Sequence, residues 1–160
     1  MMGNPEHKQK IWKMIKKIGV GMLVTEDGSE HRARPMQLVQ DEYDGTLWFF
    51  TRVEDHKVNE VQDEKNVCLT FSDPNSKTHV SMTGNAKLTF DKNLVNKYWS
   101  SMVSAWFPEG KDSKNVALLE IKITEGEHWD DNSSKLGFLY QITKANLTGT
   151  MPDLGDNQKF

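Results

Sequence analysis

In His31-Arg-Ala-Arg-Pro-Met36 two arginines stand two residues apart, with a proline directly after the second. Residues i and i+2 of an extended strand share a face, so Arg32 and Arg34 would bring two like charges side by side. An anion held between them resolves the repulsion. Arg52, His56 and Lys57 follow a second candidate strand, Thr46-Leu-Trp-Phe-Phe-Thr51. Lys57 falls near the start of a predicted short helix, where free backbone N–H groups favour an anion. Adjacent antiparallel strands would bring Arg34 and Lys57 toward one point. Each of these residues alone reads as a solvated surface charge, and it is the combination that suggests a phosphate.

Aromatic residues supply a second half. Trp48, Trp99, Trp106 and Trp129 accompany Phe49, Phe50 and Phe107 in a chain that is 9% aromatic. Most belong in a core. Trp106-Phe-Pro-Glu-Gly110 reads as a polar loop, where two large rings need cover from a partner subunit or a flat ligand. A phosphate clamp beside a flat apolar slot describes a nucleotide-like cofactor with a large ring system. Other chemistries lack support. Gly19-Val-Gly21 follows a helix and precedes a strand, the reverse of a dinucleotide-binding turn. There is no P-loop and no nucleophile elbow. The histidines at 7, 31, 56, 79 and 128 lack zinc-ligand spacing, so no metal is expected.

The elements that must position these residues follow from periodicity and turn chemistry. Ile11, Met14, Ile15 and Ile18 form one stripe of a helix from His7 to Ile18, with lysines elsewhere. Val20–Thr25 and His31–Val39 read as strands joined at Asp27-Gly28, and Thr46–Thr51 as a third in meander order. A short helix is predicted over Glu54–Glu64, strands over Asn66–Ser72 and Thr78–Phe90 with Gly84 as a bulge, and a helix from Lys92 to Met102 capped by Asp91. Val116–Ile123 is the last clear strand, extended or edged by Glu127-His-Trp129. Hairpins rather than crossover helices join the early strands, which favours an antiparallel barrel with peripheral helices.

The 160 residues fit one domain, placed at 1–149, with 150–160 expected to be a mobile tail. A net charge of −3 gives no overall field to recruit nucleic acid or a membrane surface. Cys68 is the lone cysteine, and no apolar segment approaches a signal or a membrane span, so the cytoplasm is the expected location.

Taken in order, Arg32-Ala-Arg-Pro-Met36, Leu47-Trp-Phe-Phe-Thr51, His56-Lys57, Asn66-Val-Cys-Leu-Thr-Phe71, Val80-Ser-Met-Thr-Gly84, Trp106-Phe-Pro-Glu-Gly110 and His128-Trp-Asp130 resemble a known family. It is the general stress protein 26 branch of the pyridoxamine-phosphate-oxidase-like, FMN-binding split-barrel proteins. The resemblance implies a six-stranded antiparallel split β-barrel and a homodimer with flavin sites between subunits. It also implies FMN, with FAD as a variant, as the cofactor. Arg34 and Lys57 would hold the phosphate, with Arg32 either a second counter-charge or facing solvent at the rim. Pro35, Met36 and Gln37 would line the ring, Phe50 and Thr51 would meet its polar edge, and His79, Trp106 and Trp129 would close the site from or near the second subunit. His56 precedes the lysine in the same motif. Asp55 stands where phosphate sites of this superfamily usually have serine, and a helix-capping role would turn it away. The C-terminal Arg-x-His of the pyridoxamine-phosphate oxidases is absent, so vitamin B6 synthesis is not expected. A flavin-dependent oxidoreductase of unspecified substrate, a non-catalytic flavin-binding module and a dimeric domain with a decayed groove all stay open.

Overall fold

The computed structural model describes residues 5–53, 65–131 and 135–160. The predicted helix over Glu54–Glu64, with Asp55, His56 and Lys57, lies outside the described residues. Helix α1 (Pro5–Ile18) buries Ile11, Trp12 and Ile15 and keeps Lys13, Lys16 and Lys17 outside. It stops at Gly19, whose N–H reaches Ile15 O at 2.8 Å and whose φ of +82° lets the chain reverse. β1 (Val20–Asp27) and β2 (Glu30–Gln37) then form a hairpin, paired from Val20↔Gln37 to Asp27↔Glu30.

β3 (Thr46–Arg52), β4 (Lys65–Asp73), β5 (Thr78–Thr89) and β6 (Val116–Asp130) complete an antiparallel sheet in the order β2-β1-β4-β5-β6-β3. The two ends of that path, β2 and β3, approach each other without pairing. The sheet therefore curls round a core but stays open along one seam: a split barrel. A meander holds only for β1 and β2, since β3 pairs with β6 from Thr46↔Lys122 to Arg52↔Val116. Gln40 explains the separation. Its Nε2 donates to Glu42 O and Thr46 O, and its Oε1 accepts from Trp48 N, each at 2.9 Å. This buried amide occupies the free edge of β3, where a neighbouring strand's peptide would sit.

The unbroken apolar run of β3 is covered on both faces. Leu47 and Phe49 join Leu69, Phe71, Met82 and Ile121 inside the barrel. Trp48 and Phe50 face outward under two helices, against Val95, Val103, Trp99 and Phe107. These are α2 (Lys92–Tyr98), where Asp91 Oδ1 accepts from Asn93 N at 2.9 Å, and α3 (Ser101–Trp106), capped by Ser100. One helix was expected here. The backbone is extended at Trp99 and Ser100 instead, and Trp99 turns its ring edge-on to Phe50 at 5.5 Å. Between β5 and β6 the register shifts at Thr83/Gly84, the predicted bulge; a Cβ on Gly84 would run into Lys122 O.

Part of the C-terminal segment expected as a tail is paired to the sheet. After α4 (Lys135–Thr148), β7 (Asp156–Lys159) pairs with β6 from Asp130↔Asp156 to Glu127↔Lys159. Phe160 explains the docking. Its N–H and C=O each bond Gly126 at 2.7 Å, and its ring fills the space that Gly126 leaves by lacking a Cβ. His7 and His128 meet the same ring at 5.7 and 6.4 Å. Phe160→Ala is therefore expected to release β7 and cost about 1–2 kcal/mol, less than a fully buried phenylalanine. Hydrogen exchange of residues 156–160 and the urea midpoint test this; unchanged protection and midpoint would remove the anchor.

Candidate functional site

Alternation along β2 puts Arg32, Arg34 and Met36 on one face, where they line a cavity of about 100 Å³ at the barrel mouth. Thr25 and Glu26 of β1, Thr51 and Arg52 of β3, and Lys65 at the start of β4 surround it. Arg34 Nη2 donates to Thr25 Oγ1 at 2.6 Å. Among the described residues Arg32 has no hydrogen-bond or ion-pair partner. Among the described residues one neutral hydroxyl, held by Arg34 alone, is thus the hydrogen-bond partner of the pair, which leaves most of their donors for an outside anion.

Arg52, read from the sequence as a further anion ligand, is committed elsewhere. Its Nε donates to Glu109 Oε1 at 2.7 Å, and its Nη2 to Glu109 Oε2 at 3.2 Å and Trp106 O at 3.1 Å. The guanidinium also stacks 5.2 Å from the Phe107 ring centroid. This clamp fixes the Trp106–Gly110 turn against the end of β3. The Arg52 hydrogen bond holds the Glu109 carboxyl below the usual glutamate range. A depressed carboxyl pKa stabilises the folded state above the unfolded value and loses that contribution as pH falls through the folded one. The clamp is thus intact at neutral pH and opens on acidification below the ordinary glutamate range. Tryptophan emission should report an acid transition that Glu109→Gln abolishes; an identical transition in the variant would assign it to another group.

A groove of about 320 Å³ adjoins the cavity through Met36, which lines both. Pro35 and Gln37 from the other face of β2, Phe50, Met102 and Trp106 supply much of its wall. Its volume lies in the small-molecule range of ~300–1,000 Å³, whereas the cavity beside the arginines holds only a compact polar group. Trp106 is 74% exposed, so one wall of the groove is a large ring left largely uncovered by the described residues.

The residues singled out from the sequence therefore fall into three sets. Arg32, Arg34, Met36 and Thr51 meet at the mouth, and Pro35, Met36, Gln37, Phe50 and Trp106 meet in the groove. His79 and Trp129 lie opposite each other in the β5–β6 register, both turned outward, and line neither. His56 and Lys57 lie outside the described residues. Thr25 and Lys65 were missed: Thr25 stands opposite Arg32 in the β1–β2 hairpin, a local signal that could have found it, whereas the nonlocal β1–β4 pairing that places the start of β4 beside β1 leaves no mark in local spacing. Among the described residues, no group of three His, Cys, Asp or Glu could hold a metal, and no helix is long and apolar enough to cross a membrane.

Residues 6–153 match the sequence profile of the family described as pyridoxamine 5'-phosphate oxidase like. General stress protein 26 of Bacillus subtilis is 31% identical over 128 residues, spanning 76% of this chain and 86% of that protein. A crystal structure from Jannaschia sp. CCS1, described as a general stress protein 26, superposes with a TM-score of 0.74 at 25% identity, covering 98% of this chain and 99% of the other. The general stress FMN/FAD binding protein of Xanthomonas citri superposes with a TM-score of 0.72 at 27% identity, covering 82% of this chain and 93% of that one.

Proposed function

The chain belongs to the pyridoxamine 5'-phosphate oxidase like family, and from that premise we propose that it is a flavin-binding protein of the general-stress-protein type, taking FMN or the FMN half of FAD. One observation carries the reading: two arginines on one strand face, with one hydroxyl bonded to Arg34, line a cavity that adjoins, through Met36, an apolar groove of small-molecule size. Arg34 and Arg32 hold the phosphate with Lys57. Pro35, Met36 and Gln37 lie along the ring, and Phe50 and Thr51 meet its polar edge. The relative from Xanthomonas citri described as FMN/FAD binding supports the same assignment.

The cofactor is shared between two copies. The outer face of β1, β4 and β5 presents Met22, Val24, Cys68, Thr70, Ser81 and Thr83, none of them fully buried, and the groove lacks one wall. A homodimer packed on that face lets the partner subunit's His79 and the partner subunit's Trp129 close the ring. A monomer at micromolar concentration in sedimentation equilibrium would end the shared-site reading.

Bound flavin supplies electron storage, and the protein supplies orientation and access. The simplest reaction moves electrons from a reduced nicotinamide through FMN to an acceptor. A second reading, a flavin store or sensor without turnover, is favoured by one feature of the lining. Among the described residues no histidine or cysteine faces either cavity, and Glu26 is the one carboxylate there. The deciding test is an absorption spectrum after FMN loading and desalting, followed by addition of a reduced nicotinamide. A retained two-band spectrum that bleaches and recovers in air supports the oxidoreductase. A retained spectrum that never bleaches supports the store, and a colourless protein removes both.

A further inference from the structure

Of the six residues of α3, Val103 is the buried one and the other five are exposed. Met102 and Trp106 stand four residues apart, so they lie side by side on the helix face that walls the groove. A helix this short does not hold itself in water. Its placement, and with it the position of the Trp106 ring, must come from contacts outside the helix.

Val103 packs among Trp48, Phe50 and Val95, which fixes the middle of α3 against the outer face of β3. Ser100 Oγ accepts from Val103 N at 3.3 Å and holds its start. Past its end, Lys92 and Asp112 approach to 3.6 Å, but with side chains 69% and 78% exposed that pair contributes little. Arg52 holds the C-terminal end itself. The Gly110 N–H bonds Phe107 O, which leaves the Trp106 carbonyl among the acceptors that a helix end must satisfy elsewhere. Arg52 Nη2 donates to it at 3.1 Å, while the same guanidinium grips both Glu109 oxygens and lies over the Phe107 ring. A cation at a helix C-terminus is also favoured by the backbone dipole.

Arg52 borders the arginine mouth as well as this turn. Two roles therefore compete, a ligand for the phosphate and a support for the groove wall, and the fork decides between them. Glu109 already neutralises the Arg52 guanidinium through two hydrogen bonds, so a phosphate at the mouth would have to displace a carboxylate. At Arg34 it displaces a neutral hydroxyl. We infer that Arg52 is a positioning residue for the ring-binding groove. It acts through the Trp106 carbonyl and Glu109 to set the wall made by Met102 and Trp106, and it takes no part in holding the phosphate. The clamp stands on its own geometry, and the ligand that meets the wall rests on the proposed flavin reading.

The test titrates the full-length protein with FMN and with riboflavin, which has the same ring and no phosphate. Arg52→Ala is expected to weaken both by one factor, about 3- to 10-fold for a displaced aromatic wall, so the ratio of the two affinities keeps its wild-type value. Arg34→Ala should lower that ratio and leave riboflavin unchanged. Arg52→Lys keeps the charge without the fork and should recover part of the loss. Adding Glu109→Gln to Arg52→Ala should cost nothing further, since both act through one clamp. A loss confined to FMN would make Arg52 a phosphate ligand and overturn the proposal. Wild-type affinity for both flavins in Arg52→Ala would overturn it too, even with a lowered melting temperature, because Arg52 would then serve the fold alone. Iodide quenching, taken as the difference between each protein and its Trp106→Phe counterpart, reads the ring without any flavin. If wild type binds neither flavin, the flavin reading falls and the quenching decides the clamp. A Trp106 quenching constant that changes in Arg52→Ala but not in Arg32→Ala upholds it, and an unchanged constant removes it.

Discussion

Arg34→Ala is expected to lose retained FMN on desalting while keeping the fold. Arg34 is exposed at the mouth, and its hydrogen bond to Thr25 Oγ1 is exposed as well. Its removal should leave the urea midpoint within about 0.5 kcal/mol of wild type. Binding should respond far more. A hydrogen bond to a charged group is worth about 1.5–3 kcal/mol, so the dissociation constant should rise roughly 10- to 150-fold. Arg34→Lys separates charge from shape: the ammonium keeps the charge but cannot present a planar fork, so it should recover part of the affinity. Arg32→Ala should have the same sign, and the double variant should lose more than either. The readout is fluorescence quenching of FMN on titration with protein. Wild-type affinity in Arg34→Ala would place the anion elsewhere and take the proposed site with it. Raising the salt concentration should weaken wild type more than Arg34→Ala, since the variant has one fewer exposed charge to screen.

The arginine pair was readable because a strand's two-residue period is local. Once His31–Met36 is extended, Arg32, Arg34 and Met36 share a face whatever the rest of the chain does. Gly84 was readable for a similar reason: a glycine inside a long β run marks a bulge, and Lys122 O fills the space where its Cβ would be. Three features were not readable, each for a nonlocal cause. Arg52 looks like an anion ligand until Glu109, 57 residues on, is brought against it. The separation of β3 from β2 depends on Gln40 folding its amide onto the free edge of β3, which no pattern of apolar residues encodes. The docking of Phe160 depends on the empty space over Gly126 in another strand. In α4 the apolar residues fall on both faces, so the segment shows little of the one-sided period that identifies a surface helix.

Gln40→Leu is expected to be the most damaging single substitution outside the core, and it tests what keeps the barrel split. The side chain is buried and makes three hydrogen bonds of 2.9 Å to backbone groups of Glu42, Thr46 and Trp48. Leucine has a comparable size but no polar atom, so the transfer of the side chain itself should be neutral or favourable. The loss falls on the backbone. Each buried group left unpaired costs about 1–3 kcal/mol, and water can reach those nearest the turn, so a net loss of about 3 kcal/mol is expected. For a chain of this length that lowers Tm by about 6–12 °C. The strand edge is also the element that carries Phe50 and Thr51 past Met36. An unsatisfied edge should shift toward whatever can pair with it, either β2 or another molecule. Flavin affinity should therefore fall at temperatures where the variant is still folded, and aggregation should rise with concentration. Phe49→Leu, in the barrel interior, is the matched control: it destabilises by removing core volume and leaves the β3 edge intact. Loss of flavin in Gln40→Leu but not in an equally destabilised Phe49→Leu would tie the groove to the capped edge. Equal retention in both would mean that Gln40 stabilises the fold without setting the spacing of the seam.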